Sequence, residues 1–261
     1  MEQYYFPFGQ PLRKVEQKDK SAKEVFVLGV YASAVHATWV GKDGKQKVAA
    51  LAVASEPEIF WKGDNVADII SQIEVPSELG KLLVPKSKSM NGPSGKVLDE
   101  MYLKPMGFLR GHAWLSDLLP ESRVNPNQRA AIENHYTTDI ILRYGLKQAS
   151  IPDFNKGELN SKVRREEILS ELIESKSETL VLLGDLPIQW FLKYYSNGAH
   201  RKLADFGETS DSYGKPVEMK IDGNNYNVIA LCHPRQAGQL GSSNLKWAQL
   251  HRSWIESKKN R

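Results

Sequence analysis

Cysteine is nearly absent: the 261-residue chain holds one, Cys232, which excludes an intramolecular disulfide and leaves no thiolate cluster for zinc or an iron–sulfur centre. Cys232 lies in an apolar run and reads as a buried thiol. No apolar stretch approaches the roughly 20 residues of a membrane-spanning helix, and no secretory signal pattern opens the chain. The expectation is a soluble, cytoplasmic protein. A G-x-G-x-x-G turn and a P-loop lysine motif are both missing, which removes the usual cradles for dinucleotides and nucleoside triphosphates. Charge of one sign is scarce as well: a formal net charge of +4 permits a nucleic-acid partner without requiring one. Most of the basic residues, including those at 86–88, 164–165 and 258–261, read as solvated surface. Linkers and internal repeats are also lacking, so residues 1–261 are expected to form one monomeric domain with a hairpin insertion at about 35–53.

What the chain does have is a series of short apolar runs, each followed by a polar or helical stretch. Residues 25–29 (VFVLG), a short apolar run from Ala113, and 179–184 (TLVLLG) read as strands, the second giving way to a polar loop over 117–123 at its end. Residues 228–231 (VIAL) are too few for a helix and stop at a breaker, Pro234, so His233 is delivered at a strand's carboxyl end. Asn125 as cap, Pro126 at the first helical position and Gln128 as the reciprocal partner start a helix. Helices are also read at 68–83, 96–103, 163–175 and 187–195, and a surface loop at 197–214. Hairpins are read across Asp43-Gly44 and across residues 222–225. Repeated strand–loop–helix units predict a three-layer α/β/α fold with a mainly parallel central sheet, and ligands of such sheets bind beyond the strands' carboxyl ends.

The order of motifs resembles the uracil-DNA glycosylase superfamily over about residues 25–254. The matching segments are LGVYASA (28–34), GPSGKVLD (92–99), LSDLLPESRVNPNQ (115–128), and LVLLGDLPIQWFL (180–192) followed by CHP (232–234). The resemblance implies hydrolysis of the N-glycosidic bond of a base flipped out of DNA. It implies a monofunctional enzyme needing neither metal nor redox cofactor; no activated lysine stands near the motifs. His233 matches the motif histidine that donates to the base O2 as negative charge builds there. Residues 235–243 correspond to the segment entering the minor groove. Gln236 and Leu240 are candidates to fill the vacated space, although Gly238 and Gly241 also suit a plain turn. Arg235 would meet phosphates or the opposite base. Ser94 and Gly95 would offer N–H groups to a phosphate at a helix start, Ser94 serving equally well as a helix cap. Arg123 joins the DNA-facing set.

The first motif departs from the family pattern. Where relatives place a carboxylate or amide just after the motif glycine, Gly29 is followed by Val30 and Tyr31, which cannot activate water. The candidates for that task are His36, Asp43, Glu56, Glu58 and Asp64, with Glu56 and Asp64 ranked ahead because they flank Phe60-Trp61. That aromatic pair would stack on a flipped base, or else belongs to the core. Asp117 stands where uracil-specific relatives read the base edge with Asn. A carboxylate accepts only, which suits the exocyclic amino group of cytosine; alternatively Asp117 is a loop acid bonded to backbone or paired with Arg123. Ser33, between Ala32 and Ala34, replaces a bulky residue that closes the pocket against ring carbon five, and Tyr31 lines the same region. The expected substrate is therefore a pyrimidine, in the sharper form a C5-modified cytosine, in repair or in defence against modified phage DNA. The alternative is a non-catalytic DNA-binding or protein-interaction module that retains the fold.

Overall fold

Apolar runs buried on both faces become the parallel strands of one sheet. The computed structural model describes residues 3–87, 89–196, 198–240 and 244–259. In chain order the strands are β1 (Val25–Tyr31), β2 (Ala34–Val40), β3 (Gln46–Ser55), β4 (Lys81–Leu83), β5 (Ala113–Leu119), β6 (Thr179–Leu183), β7 (Val217–Ile221) and β8 (Asn224–Leu231). The α-helices are α1 (Val66–Ser71), α2 (Pro93–Leu98), α3 (Pro126–His135), α4 (Thr138–Tyr144), α5 (Lys162–Ser175), α6 (Asp185–Trp190), α7 (Pro234–Ala237) and α8 (Leu245–Lys259).

The main sheet has the order β5-β1-β6-β8-β7. All pairings in it are parallel except β7 with β8, which are joined by a tight turn. That turn has left-handed backbone at both Asp222 and Gly223 (φ 45 and 84), the geometry of a two-residue hairpin, so it is shorter than the four-residue connection expected from sequence. Flanking helices complete a mixed α/β fold compatible with three layers. Asn125 and Gln128 cap α3 reciprocally, each backbone N–H donating to the other's side-chain oxygen at 2.8 and 3.0 Å.

The expected hairpin insertion is larger than a hairpin. β3, β2 and β4 form a separate antiparallel sheet with its own core, in which Val35, Ala37, Trp39, Leu51 and Val53 pack with Phe6 and Phe8 of the amino-terminal arm and Ile132, Tyr136 and Ile141 of α3 and α4. Phe8, at φ 64, meets Trp39 and Tyr136 edge-on, each at 5.2 Å. The helix expected over 68–83 ends with α1, because Pro76 and Gly80 interrupt it. Gly80 has φ 93, and a side chain there would strike the backbone of Val40. The chain then turns into β4, which pairs with β2. The segment 197–214 is also no plain surface loop, since Leu203, Phe206 and Tyr213 are buried in the main core. Among the described residues no helix is long and apolar enough to cross a membrane.

Candidate active site

Strand register brings the candidate residues to one edge of the main sheet. Gly29 of β1 lies directly opposite Asp117 of β5. At the other end of the edge, the Gly184 N–H donates to the Leu231 carbonyl at 2.7 Å, and the Cβ position of Gly184 is 3.3 Å from His233 Cβ. Gly29 is required by crowding: an added Cβ would collide with Asp117 Oδ1 and stand 2.7 Å from the Phe60 ring. Phe60 therefore arrives from the far side to sit against the same spot. Its backbone is left-handed (φ 51), and Arg110 pins it, donating to the carbonyls of Phe60 (2.8 Å), Ile59 (3.3 Å) and Gly95 (3.2 Å) and to the Asp99 carboxylate.

Electrostatics at this edge are set by burial. The Asp117 carboxyl is pushed up to about 7 by desolvation, partly offset by Arg164, whose Nε and Nη2 donate to the Asp117 carbonyl at 3.2 and 2.7 Å. Glu56, only 7% exposed, is pushed up to about 8 by desolvation first and by the Asp117 charge second, while the Ser33 N–H bonds it and opposes the rise. Two buried acids in one field thus retain a proton near neutrality. His233 caps α7, its Nδ1 accepting the Arg235 N–H at 3.2 Å. Burial, then Arg235, depress the ring to about 4. The neutral ring therefore carries its proton on Nε2, as a donor.

A chain of hydrogen bonds holds the residue before His233. Tyr102 Oη donates to the Cys232 carbonyl at 2.5 Å. The Cys232 N–H donates to Tyr213 Oη at 2.8 Å, which donates to His251 Nδ1 at 2.9 Å, and His251 Nε2 donates to the Met101 carbonyl at 2.9 Å. That direction is self-consistent, since burial also keeps His251 neutral, at about 4. Nothing in the sequence motifs marks Tyr102, Tyr213 or His251. Phe154 was equally hidden: its ring packs on Tyr31 at 5.1 Å, beside Asp117 and Arg235, the charges that Tyr31 senses.

Several expected roles change. Trp61 belongs to the smaller core, and its indole N–H donates to the Asp64 carbonyl at 2.9 Å, so it is unavailable for stacking. Asp64 is exposed and lies 3.9 Å from Lys62, away from the buried acids; Glu56 alone of the favoured pair reaches the site. His36 and Asp43 are committed elsewhere, the first clamped by Asn91 through its backbone N–H and carbonyl and the second closing the β2–β3 turn onto the Lys45 N–H; Glu58 lies 4.0 Å from Arg110. The Ser33 side chain is exposed; its backbone does the work, the N–H on Glu56 and the carbonyl accepting from Ser122 Oγ at 2.5 Å. Gly95 is buried under the Phe60 and Trp61 carbonyls, which its added Cβ would strike, so close packing rather than phosphate binding explains it. Ser94 stays half-buried in the first turn of α2. Arg123 is consumed by Glu158 at 2.8 Å and Glu121 at 3.7 Å, and the cation beside Asp117 is Arg164. In the loop after His233, Arg235 Nε donates to the Leu240 carbonyl at 3.0 Å and Gln236 Oε1 accepts the Asn244 N–H at 2.5 Å, so both tie the loop down. Leu240 is half-buried; Gly241 lies outside the described residues. Among the described residues no group of three or more His, Cys, Asp or Glu side chains is placed to hold a metal ion.

Comparison with protein-family models and with curated proteins gives no match for this chain.

Proposed function

We propose that this protein is a monofunctional DNA glycosylase of the uracil-DNA glycosylase-like type, hydrolysing the N-glycosidic bond of a flipped pyrimidine without metal or redox cofactor. The observation that carries this reading is the neutral donor His233 beyond the carboxyl end of β8, with two buried, interacting acids, Asp117 on β5 and Glu56 just after β3, beside the same sheet edge. Departure of the base breaks C1′–N1 and sends the electron pair to the ring; His233 Nε2–H donates to O2 and stabilises that charge. Ionised Glu56 orients water toward C1′ and takes its proton as the new C1′–O bond forms. Asp117 reads the base edge, and Phe60 offers its ring to the base face.

A C5-modified cytosine is the favoured substrate, supported by Asp117 in the reading position and by the small residues Ala32, Ser33 and Ala34. Its partner is DNA and the working unit a monomer. The test is alkali-developed strand cleavage on DNAs carrying uracil, hypoxanthine, a thymine mismatch, or hydroxymethylated or glucosylated cytosine. Product on a modified cytosine, lost in His233→Ala, is the expected result. Efficient release of uracil alone would overturn the substrate. A second reading, a binding module without chemistry, draws on Val30 and Tyr31 after the motif glycine; no product anywhere with DNA binding retained would favour it.

A further inference from the structure

Outside the candidate site, a cluster of cations and aromatics surrounds the first turn of α5. The Arg165 guanidinium lies 3.9 Å over the Tyr194 ring. Lys193 Nζ is 5.1 Å from the same ring's centroid and 4.8 Å from that of Trp190. Asn160 Oδ1 fixes the arrangement, accepting from Tyr194 Oη at 2.7 Å and from Arg165 Nη1 at 3.3 Å. Tyr194 is 45% exposed. The nearby acid Glu166 is paired with Lys162 at 3.5 Å, and among the described residues no carboxylate forms an ion pair with Arg165 or Lys193, so both charges remain uncompensated.

The cluster adjoins the candidate site through the chain itself. Arg164, the residue before Arg165, binds the Asp117 carbonyl, which puts the start of α5 at the carboxyl edge of the sheet. Ten residues of chain also connect it to Phe154, whose ring packs at a tilt on Tyr31 beside Asp117. Resting on the glycosylase reading, we propose that Arg165, Lys193 and Tyr194 form a docking platform for single-stranded DNA flanking the target base. Phosphates take up the two uncompensated cations, and an unstacked base lies on the pair formed by the half-buried Arg165 guanidinium and the exposed Tyr194 ring. A single strand is the fitting occupant because duplex DNA hides its base faces, so it could use the cations but not the stack.

The test is fluorescence anisotropy with a labelled oligonucleotide of unmodified sequence, single-stranded or annealed, over a salt series. Arg165→Ala/Lys193→Ala is expected to weaken single-strand binding about tenfold or more and to reduce the slope of log affinity against log salt by about 1.4, two phosphate contacts' worth. Tyr194→Ala is expected to weaken it about tenfold while Tyr194→Phe does so only slightly, each with unchanged thermal melting. Duplex binding should be insensitive to Tyr194→Ala. Parent-like single-strand affinity and salt slope in the double variant overturn the platform even if base excision is observed. The expected losses in a protein that excises nothing uphold the platform and sink only the glycosylase reading.

Discussion

The two sheets treat buried polar groups differently. In the smaller one, they are mostly spent on structure. Asn91 clamps the backbone of His36 through both its N–H and its carbonyl, at 2.8 and 2.9 Å. The Trp39 indole donates to the Leu79 carbonyl at 2.8 Å, and the Phe8 N–H donates to Tyr136 Oη at 3.1 Å. Beside the carboxyl edge of the larger sheet, by contrast, Asp117 and Glu56 are buried and His233 is half-buried, and desolvation disfavours the ionised form of each. Such arrangements cost stability, and groups shifted in this way are concentrated at functional sites. The smaller sheet spends its buried polar groups on backbone contacts; beside the edge of the larger one, burial acts on protonation instead.

The sharpest way to break this comparison is His233→Ala, expected to lower single-turnover excision about 10²–10³-fold, the loss typical for one donor to a developing oxyanion, with little change in melting temperature. A comparable activity loss per folded molecule from a smaller-sheet substitution would erase the distinction. Trp39→Ala should instead cost about 3–5 kcal/mol of stability by emptying a fully buried site, measured by urea unfolding, with excision by the remaining folded protein unchanged.

Glu56→Gln separates stability from chemistry within the edge itself. Because the Glu56 carboxyl rises from 4.5 to about 8 on folding, the folded state holds the proton more tightly than the unfolded chain. The stability this supplies is complete below about pH 4.5 and is lost as pH rises through about 8. The glutamine variant should therefore gain on the parent in unfolding free energy between pH 5 and pH 9, by on the order of a few kcal/mol, measured by urea unfolding, while losing the rise in excision rate that ionisation of Glu56 gives the parent over the same range. A flat difference across pH would remove Glu56 from the buried pair. Smaller still is the expected change in base choice: protonated Asp117 both donates and accepts, serving uracil and cytosine alike, whereas the ionised form accepts only. Preference for cytosine-type bases over uracil should thus grow severalfold across about pH 7, and Asp117→Asn should abolish the trend. Last, Asn125→Ala should cost about 1 kcal/mol, a purely local loss with no effect on excision.

Local rules carried much of this layout. The parallel strands follow from short apolar runs bounded by polar residues, the α3 cap from Asn125 and Gln128, and the position of His233 from a strand halted at Pro234. What could not be read joins residues far apart in the chain: Arg164 with Asp117, 47 positions away, or Tyr102 with Cys232, 130 away. No periodicity records such partners. The same blindness misplaces Trp61 and Asp64, since adjacency to Phe60 does not tell that Trp61 enters the other core and Asp64 the surface. The helix read at 68–83 gives way to a strand at Lys81–Leu83, which exists only through its partner β2.

Phe60 carries an evolutionary consequence. Its left-handed backbone (φ 51) costs a side-chain-bearing residue about 1–3 kcal/mol, and Arg110 holds it in place from below. Glycine at that position would relieve the backbone but forfeit the ring, and any other large side chain would inherit the strain without matching the space above Gly29. Under the proposed glycosylase reading, variation in base choice is thereby channelled away from position 60 and toward residues 31–34 and 154, while Phe60 stays fixed.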